Sequence, residues 1–214
     1  MLNIKKIVCN TLQENCYIVS DETKDCVIID CGAFYPEERE AVVEYIRENK
    51  LRPQHLLCTH AHLDHNFGNN TIEQEFQLLP EIHEDDAAML SDLKVQADFL
   101  TEFASQLNLP QAGRLLHDKD VIAFGSHQLT VLATPGHSPG GVFFYCESEH
   151  VAFSGDTLFR HSIGRTDFPE GSMFAIIQSL RMISQLPDDT VVYPGHGPKT
   201  TIGEEVAHNP YIDR

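Results

Sequence analysis

Apolar positions along the chain fall into short runs broken by polar turns, and the runs form two successive blocks. The first block opens with β-rich segments at Leu2–Val8, Cys16–Ser20 and Cys26–Asp30, the last carrying the unbroken run Val27-Ile28-Ile29. From Pro36 to Asn49 the spacing becomes helical. Pro36 suits a first turn, Glu37 and Glu38 suit the positive N-terminal end, and Val42, Val43 and Ile46 give an apolar face. His55–Thr59 reads as a buried strand, Thr71–Phe76 as a short helix, Glu84–Phe103 as mostly helical and Asn108–Gly113 as a turn. The second block brings strands at Val121–Phe124, Gln128–Ala133, Val142–Cys146 and Val151–Ser154. A helix over Ser172–Leu186 follows, with Phe174, Ile177, Leu180 and Ile183 on one side, then a strand at Thr190–Tyr193 and a terminal helix from near Ile202. Strands, helix, strand, helix, twice over, predicts two similar halves packed sheet to sheet with helices outside. No linker or low-complexity segment divides them, so residues 1–214 read as one domain of the α/β class.

Composition narrows the field. Hydrophobic residues at 42% and charged residues at 22% suit a globular chain and exclude disorder. Lys and Arg number 15 against 32 Asp and Glu, a formal charge of −17. Such a body repels phosphate backbones and anionic membranes, and no run of basic residues offsets it, so neither nucleic acid nor membrane is an expected partner. The apolar stretch after Met1 stops at Asn10, too early for a signal peptide. The six cysteines, at positions 9, 16, 26, 31, 58 and 146, make no CxxC pair and read as reduced, buried thiols of a cytoplasmic protein.

The candidate chemistry lies in Thr59-His60-Ala61-His62-Leu63-Asp64-His65, an H-x-H-x-D-H string directly after an apolar strand. On extended backbone His60 and His62 point to the same side and could grip one ion, while Asp64 and His65 follow as the loop turns and could reach a second. Three further positions have the same context. His137 lies in the Gly/Pro turn after Leu129–Ala133, Asp156 just after Val151–Ser154, and His196 just after Thr190–Tyr193. Singly each is weak, since glycine-rich turns exist for backbone reasons; together with the string they form a metal-ligand set. Imidazole and carboxylate donors without thiolates suit Zn²⁺, and also Fe²⁺ or Mn²⁺. Cys58 sits beside the string but reads as a core thiol. The other seven histidines lack this context, except that His161, in the loop after Asp156, reads as lining the pocket.

The order H-x-H-x-D-H, His, Asp, His resembles that of the metallo-β-lactamase superfamily over nearly the whole chain. The resemblance implies an αββα sandwich with two divalent metal ions at one edge. It places a first ion on His60, His62 and His137, a second on Asp64, His65 and His196, and Asp156 between them. It also implies hydrolysis, with Asp64 orienting the nucleophile. The loop Asp156–Gly171, containing Gly164-Arg165-Thr166-Asp167-Phe168, is similar to that of the glyoxalase II group, the hydroxyacylglutathione hydrolases. There Arg165 would bind a glutathione carboxylate through its guanidinium fork; a local salt bridge to Asp167 is the structural alternative. The larger glyoxalase II enzymes carry a C-terminal helical extension. This sequence, running only to Arg214, resembles the short, single-domain bacterial members, which leaves the thiol carrier open. The expected substrate is a small acyl thioester. The alternatives are a mononuclear iron persulfide dioxygenase on the same scaffold, using His60- and His137-type ligands with Asp156, or hydrolysis of another small ester or thioester. Charge disfavours a nuclease, and nothing in the loops points to a cyclic lactam or lactone. The sequence leaves oligomeric state open.

Overall fold

The computed structural model of the chain describes residues 1–91 and 109–213. Strands β1 (Asn3–Cys9), β2 (Glu14–Ser20), β3 (Asp25–Ile29), β4 (Arg52–Leu57), β5 (Pro80–His83) and β6 (Arg114–Leu116) lie side by side in that order. The first three pair antiparallel, and β3 to β6 pair parallel. The parallel steps need crossovers. Helix α1 (Pro36–Glu48) supplies one and α2 (Asn69–Phe76) the next, while α3 (Glu84–Ser91) follows β5. The second sheet takes β7 (Val121–Phe124), β8 (His127–Ala133), β9 (Val142–Cys146) and β10 (Val151–Gly155) as an antiparallel meander. A small hairpin of β11 (Leu158–Phe159) and β12 (Ser162–Ile163) comes next, then α4 (Met173–Ile183). The sheet closes with β13 (Val191–Pro194) parallel to β10, β14 (Thr200–Thr201) at its edge, and helix α5 (Ile202–His208).

Period-two alternation divides each strand between two cores. Tyr17, Val19, Val27, Ile29 and Leu57 of the first sheet face Val131, Val142, Phe144 and Phe153 of the second. Their neighbours Ile18, Ile28 and Leu56 turn outward onto Val42 and Ile46 of α1 and Ile72 of α2. Phe143, Tyr145 and Ala152 turn outward onto Leu180 and Ile183 of α4 and Ile202 of α5. The layers are therefore helix, sheet, sheet, helix. Each fully buried Leu, Ile or Phe contributes about 1.5–3 kcal/mol, so these three interfaces outweigh the intrinsic propensity of such short helices.

Local chemistry sets the ends. Glu38 accepts from the backbone N–H of Phe34 (2.9 Å) and Tyr35 (3.1 Å) at the start of α1. Ser172 caps α4 by accepting from the N–H of Ala175 at 3.2 Å. The sequence pattern assigns no element to β5, β6 or β14, and the β11–β12 hairpin lies inside the loop Asp156–Gly171; all are two to four residues long and lack alternation. Two expectations need correction. Strand β4 starts at Arg52 and ends at Leu57, earlier at both ends than His55–Thr59. Phe174 is 77% exposed, while Ile176, Leu180 and Ile183 form the buried face of α4. At about 100° per residue Phe174 lies about 200° round the helix from Ile176, so the stripe begins two residues later than its aromatic suggests. The helix read over Glu84–Phe103 is present over Glu84–Ser91, and its remainder, with Asn108, lies outside the described residues. Among those described, no helix is long and apolar enough to cross a membrane.

Candidate metal centre

All seven predicted ligands come together where the two sheets meet. Beyond β4 the chain runs through Thr59 to His60 and His62, then tightens into a 3-10 turn, Leu63–His65, that carries Asp64 and His65. His137, Asp156 and His196 follow β8, β10 and β13 of the other sheet. Hydrogen bonds stitch these loops together. Val142 N–H donates to the Thr59 carbonyl at 2.9 Å, and Asp86 of α3 accepts from Ala61 N–H (2.9 Å) and Gly140 N–H (2.6 Å). Asp86 thereby ties the loop of His60 and His62 to the turn of His137.

The side chains form two adjoining groups. One ligand atom from each of His60, His62 and His137 lies within 4.8 Å of the others, and the same holds for Asp64, His65 and His196. His62 Nδ1 is 2.8 Å from His137 Nε2, and His196 Nε2 is 3.2 Å from Asp64 Oδ2. Asp156 stands between the groups, its Oδ1 3.4 Å from His65 Nε2 and its Oδ2 3.7 Å from both His137 and His196 Nε2. This approach depends on Gly195, where a Cβ would run into Asp156 Oδ1 and the His65 ring.

Outer hydrogen bonds fix which nitrogen faces inward in four of the five rings. Thr59 Oγ1 donates to Asp30 Oδ2 at 2.7 Å, which leaves it to accept from His60 Nδ1–H at 3.0 Å. His65 Nδ1–H donates to Asp30 Oδ2 (3.0 Å), His137 Nδ1–H to the Arg165 carbonyl (2.8 Å) and His196 Nδ1–H to the Leu12 carbonyl (3.0 Å). In all four rings Nε2 is thereby the nitrogen aimed into the site. Burial, then the neighbouring imidazoles, pushes His60 well below the ordinary histidine range and His62 down to about 4, so both are neutral donors at pH 7. Burial opposes charge on Asp156, but its interactions with His65 and then His196 and His137 outweigh this and hold the carboxyl well below the usual carboxylate range. His60 Nε2, His65 Nε2 and Asp156 Oδ1 are buried without a hydrogen-bond partner among the described residues. An unpaired buried polar atom costs about 1–3 kcal/mol, and three converging on one point fit bound cations. The oxygen and nitrogen donors suit divalent ions of the zinc and iron type.

Three supporting residues escaped the sequence reading: Asp30, Asp86 and Asn15. Asn15 is buried on β2, and its Nδ2 donates to the carbonyls of Pro194 (2.9 Å) and Gly197 (3.0 Å). Its N–H donates to Gly195 O at 2.7 Å, and Tyr17 Oη donates to Pro194 O at 2.7 Å. Strand β2 thus holds the turn that carries His196. Asn15→Ala is expected to weaken retention of the ion held by Asp64, His65 and His196 by about 10–100-fold and leave the His60, His62, His137 group intact. Metal counted during a chelator titration checks this: loss of both ions in parallel, or of neither, would refute the selective role.

Arg165 is exposed. Its guanidinium is paired with Asp167 through Nε (2.7 Å) and Nη2 (2.8 Å) and lies 4.1 Å from the Phe168 ring centroid. Phe168 in turn packs edge-on against His62, centroids 5.0 Å apart, and makes a wall of the site. The local salt bridge is therefore present, and the Arg165 backbone carbonyl also orients His137. Cys58 is a core thiol, as expected, accepting from Asn69 Nδ2 at 3.7 Å. The ring of His161 hydrogen-bonds to Glu204 at 2.9 Å.

An αββα sandwich with two adjoining His/Asp groups at the meeting of its sheets defines a protein built for a dinuclear metal site. The family model of the metallo-β-lactamase superfamily matches residues 9–196. The chain belongs to that superfamily of metallohydrolases. It is 34% identical to the hydroxyacylglutathione hydrolase GloC of Haemophilus influenzae, over 99% of both chains. Among solved structures it is similar to BLEG-1 B3 metallo-β-lactamase, with a TM-score of 0.86, 34% identity and 99% of each chain covered. It is also similar to TTHA1623 in a di-iron-bound form, with a TM-score of 0.81, 34% identity, and 97% of this chain and 100% of that one covered.

Proposed function

We propose that this chain is a glyoxalase II-type thioester hydrolase, cleaving S-(hydroxyacyl)glutathione to glutathione and a hydroxy acid in the cytoplasm, with Zn²⁺ as the first-choice metal. The observation that carries this reading is the pair of three-ligand groups sharing Asp156 in a chain aligned end to end with a hydroxyacylglutathione hydrolase. Bound divalent ions supply a water activated near neutral pH and positive charge for the acyl oxygen. The chain's own residues do the rest. Asp64 Oδ2, held ionised at the second group mainly by His65 against its burial, orients the attacking water. Phe168 gives the acyl group an apolar wall beside His62. A thiolate leaves without a proton donor, since thiols ionise with a pKa near ~8.5. Six buried free thiols are in keeping with a reducing compartment.

Arg165 enters as a carboxylate binder. An exposed ion pair such as Arg165–Asp167 is worth only about 0.2–1 kcal/mol, so exchanging Asp167 for a substrate carboxylate costs little. Arg165→Ala is expected to raise KM for a glutathione thioester several-fold, up to about tenfold, with kcat and metal content unchanged. An unchanged KM would remove Arg165 from the binding site.

The test is thiol release from S-D-lactoylglutathione by the zinc-loaded and the iron-loaded protein, read with a thiol-reactive dye, beside hydrolysis of a chromogenic cephalosporin. Turnover of the thioester that a chelator abolishes and added metal restores is the expected result. Turnover of the cephalosporin alone would favour the activity for which BLEG-1 is named. Oxygen uptake with glutathione persulfide, and no thiol release, would favour the dioxygenase.

A further inference from the structure

A second gathering of histidines lies apart from the seven residues above, where the β11–β12 hairpin meets α5. His161 occupies the hairpin turn, Glu204 the first turn of α5 and His208 its last residue. Glu204 and His208 are four positions apart, so they share one face of the helix. His161 Nε2 is 2.9 Å from Glu204 Oε1, and His208 Nδ1 is 3.5 Å from Glu204 Oε2. The two rings stand 5.6 Å apart, and one ligand atom from each residue lies within 4.8 Å of the other two.

Exposed side chains that hydrogen-bond to one another are common. What distinguishes this trio is a frame fastened independently of their side chains. The His161 backbone has φ 59°, a left-handed conformation that few non-glycine residues adopt. Its N–H is held at 2.8 Å by Glu205 Oε2. Glu205 is wholly buried, and it also accepts from Thr200 Oγ1 (2.5 Å) and Asn209 Nδ2 (2.8 Å). Asn209 reaches across to the Ser162 carbonyl at 3.0 Å, clamping the hairpin from its other side. Hairpin and helix are thereby set in register, and the three donors converge on a common point from two separate elements. The side chains are 42%, 37% and 59% exposed for His161, Glu204 and His208, so an ion could reach them from solvent.

We propose that His161, Glu204 and His208 form a separate, solvent-open site for a divalent transition-metal ion of the zinc type. Two imidazoles and one carboxylate are a borderline-soft donor set that leaves a fourth tetrahedral position for water. Binding replaces the hydrogen bond between His161 Nε2 and Glu204, the ring proton passing to Nδ1 through solvent. His208 gives up its 3.2 Å bond to the Glu204 backbone carbonyl, which faces water at the helix end. The formal charge of −17 favours cations over the whole surface. Arg160, next in the chain to His161, opposes them locally through well-screened solvent.

The experiment uses the full chain, equilibrated with Zn²⁺ at buffered micromolar concentrations, with bound metal counted by mass spectrometry of the elements. The variants are Glu204→Gln, His208→Gln and His161→Asn, the last chosen because asparagine tolerates left-handed backbone. Wild type is expected to bind one ion per chain more than each variant, and the variants to keep the wild-type circular dichroism spectrum and the wild-type number of slowly exchanging ions. Equal counts in wild type and all three variants would overturn the site. The readout is a difference between chains that share the same principal centre, so it stands or falls independently of how many ions that centre holds and of which substrate it takes.

Discussion

Replacing Asp156 with alanine is expected to empty the principal centre of both ions and lower turnover by at least about 10³-fold, while the fold survives. Asp156 is the side chain that touches both groups, with Oδ1 near His65 and Oδ2 near His137 and His196. Its charge also offsets the cluster of imidazoles around it. Without it, each ion keeps three donors at most and the shared ligand is gone. A metal site supplies several kcal/mol of transition-state stabilisation, and about 4 kcal/mol is three decades in rate. The sandwich itself rests on Phe144, Phe153, Leu57 and their neighbours, none of which contacts this carboxylate through a polar bond. Metal analysis, thioester turnover and circular dichroism on one preparation test all three statements. A variant holding two ions and turning over normally would sink the ligand assignment.

The second large effect is expected at Asp30, a residue outside the ligand set. Its Oδ1 accepts from Thr59 N–H at 2.7 Å, and its Oδ2 accepts from Thr59 Oγ1 (2.7 Å) and His65 Nδ1 (3.0 Å). Through Thr59 it also fixes His60, so one carboxylate orients a ring in each group. Asp30→Ala leaves three buried donors unpaired. The expected cost is about 3–5 kcal/mol of stability in the metal-free protein and about 10–100-fold in metal affinity. Denaturant unfolding after exhaustive chelation isolates the first term and chelator competition the second. Stability within about 0.5 kcal/mol of wild type, with unchanged affinity, would show that solvent or a neighbour takes over the carboxylate's bonds.

The ligands themselves were legible because each follows a strand end, and four of them sit in one unbroken string, His60 to His65. Their supports were not. Asp30 looks like the polar end of the run Val27-Ile28-Ile29, Asp86 like one acid among Glu84-Asp85-Asp86, and Asn15 like a strand-edge residue. Their partners lie far off in sequence, Asn15 reaching Pro194 and Asp86 reaching Gly140. Local pattern carries no information on such bonds. The layers were legible from alternation, whereas β5 and β6 were not: they are short, and β5 opens with Pro80 and Glu81. The Glu81 side chain is paired with His55 at 2.5 Å and Arg114 at 3.2 Å, both distant in sequence. Arg165 carried two readings. The structure shows its side chain in the Asp167 pair and gives its backbone carbonyl a part in orienting His137, which no side-chain pattern encodes.

The first sheet's connections supply His60, His62, Asp64 and His65, and the second sheet's supply His137, Asp156 and His196. A nascent chain on the ribosome therefore displays the first four long before His196 has been made. Until the later sheet docks, any ion those early side chains meet is held by an incomplete set of donors and exchanges freely with its surroundings. The choice of resident metal is therefore expected to fall to the last stage of biogenesis, when the sheets close, rather than to whichever ion the early segment met first.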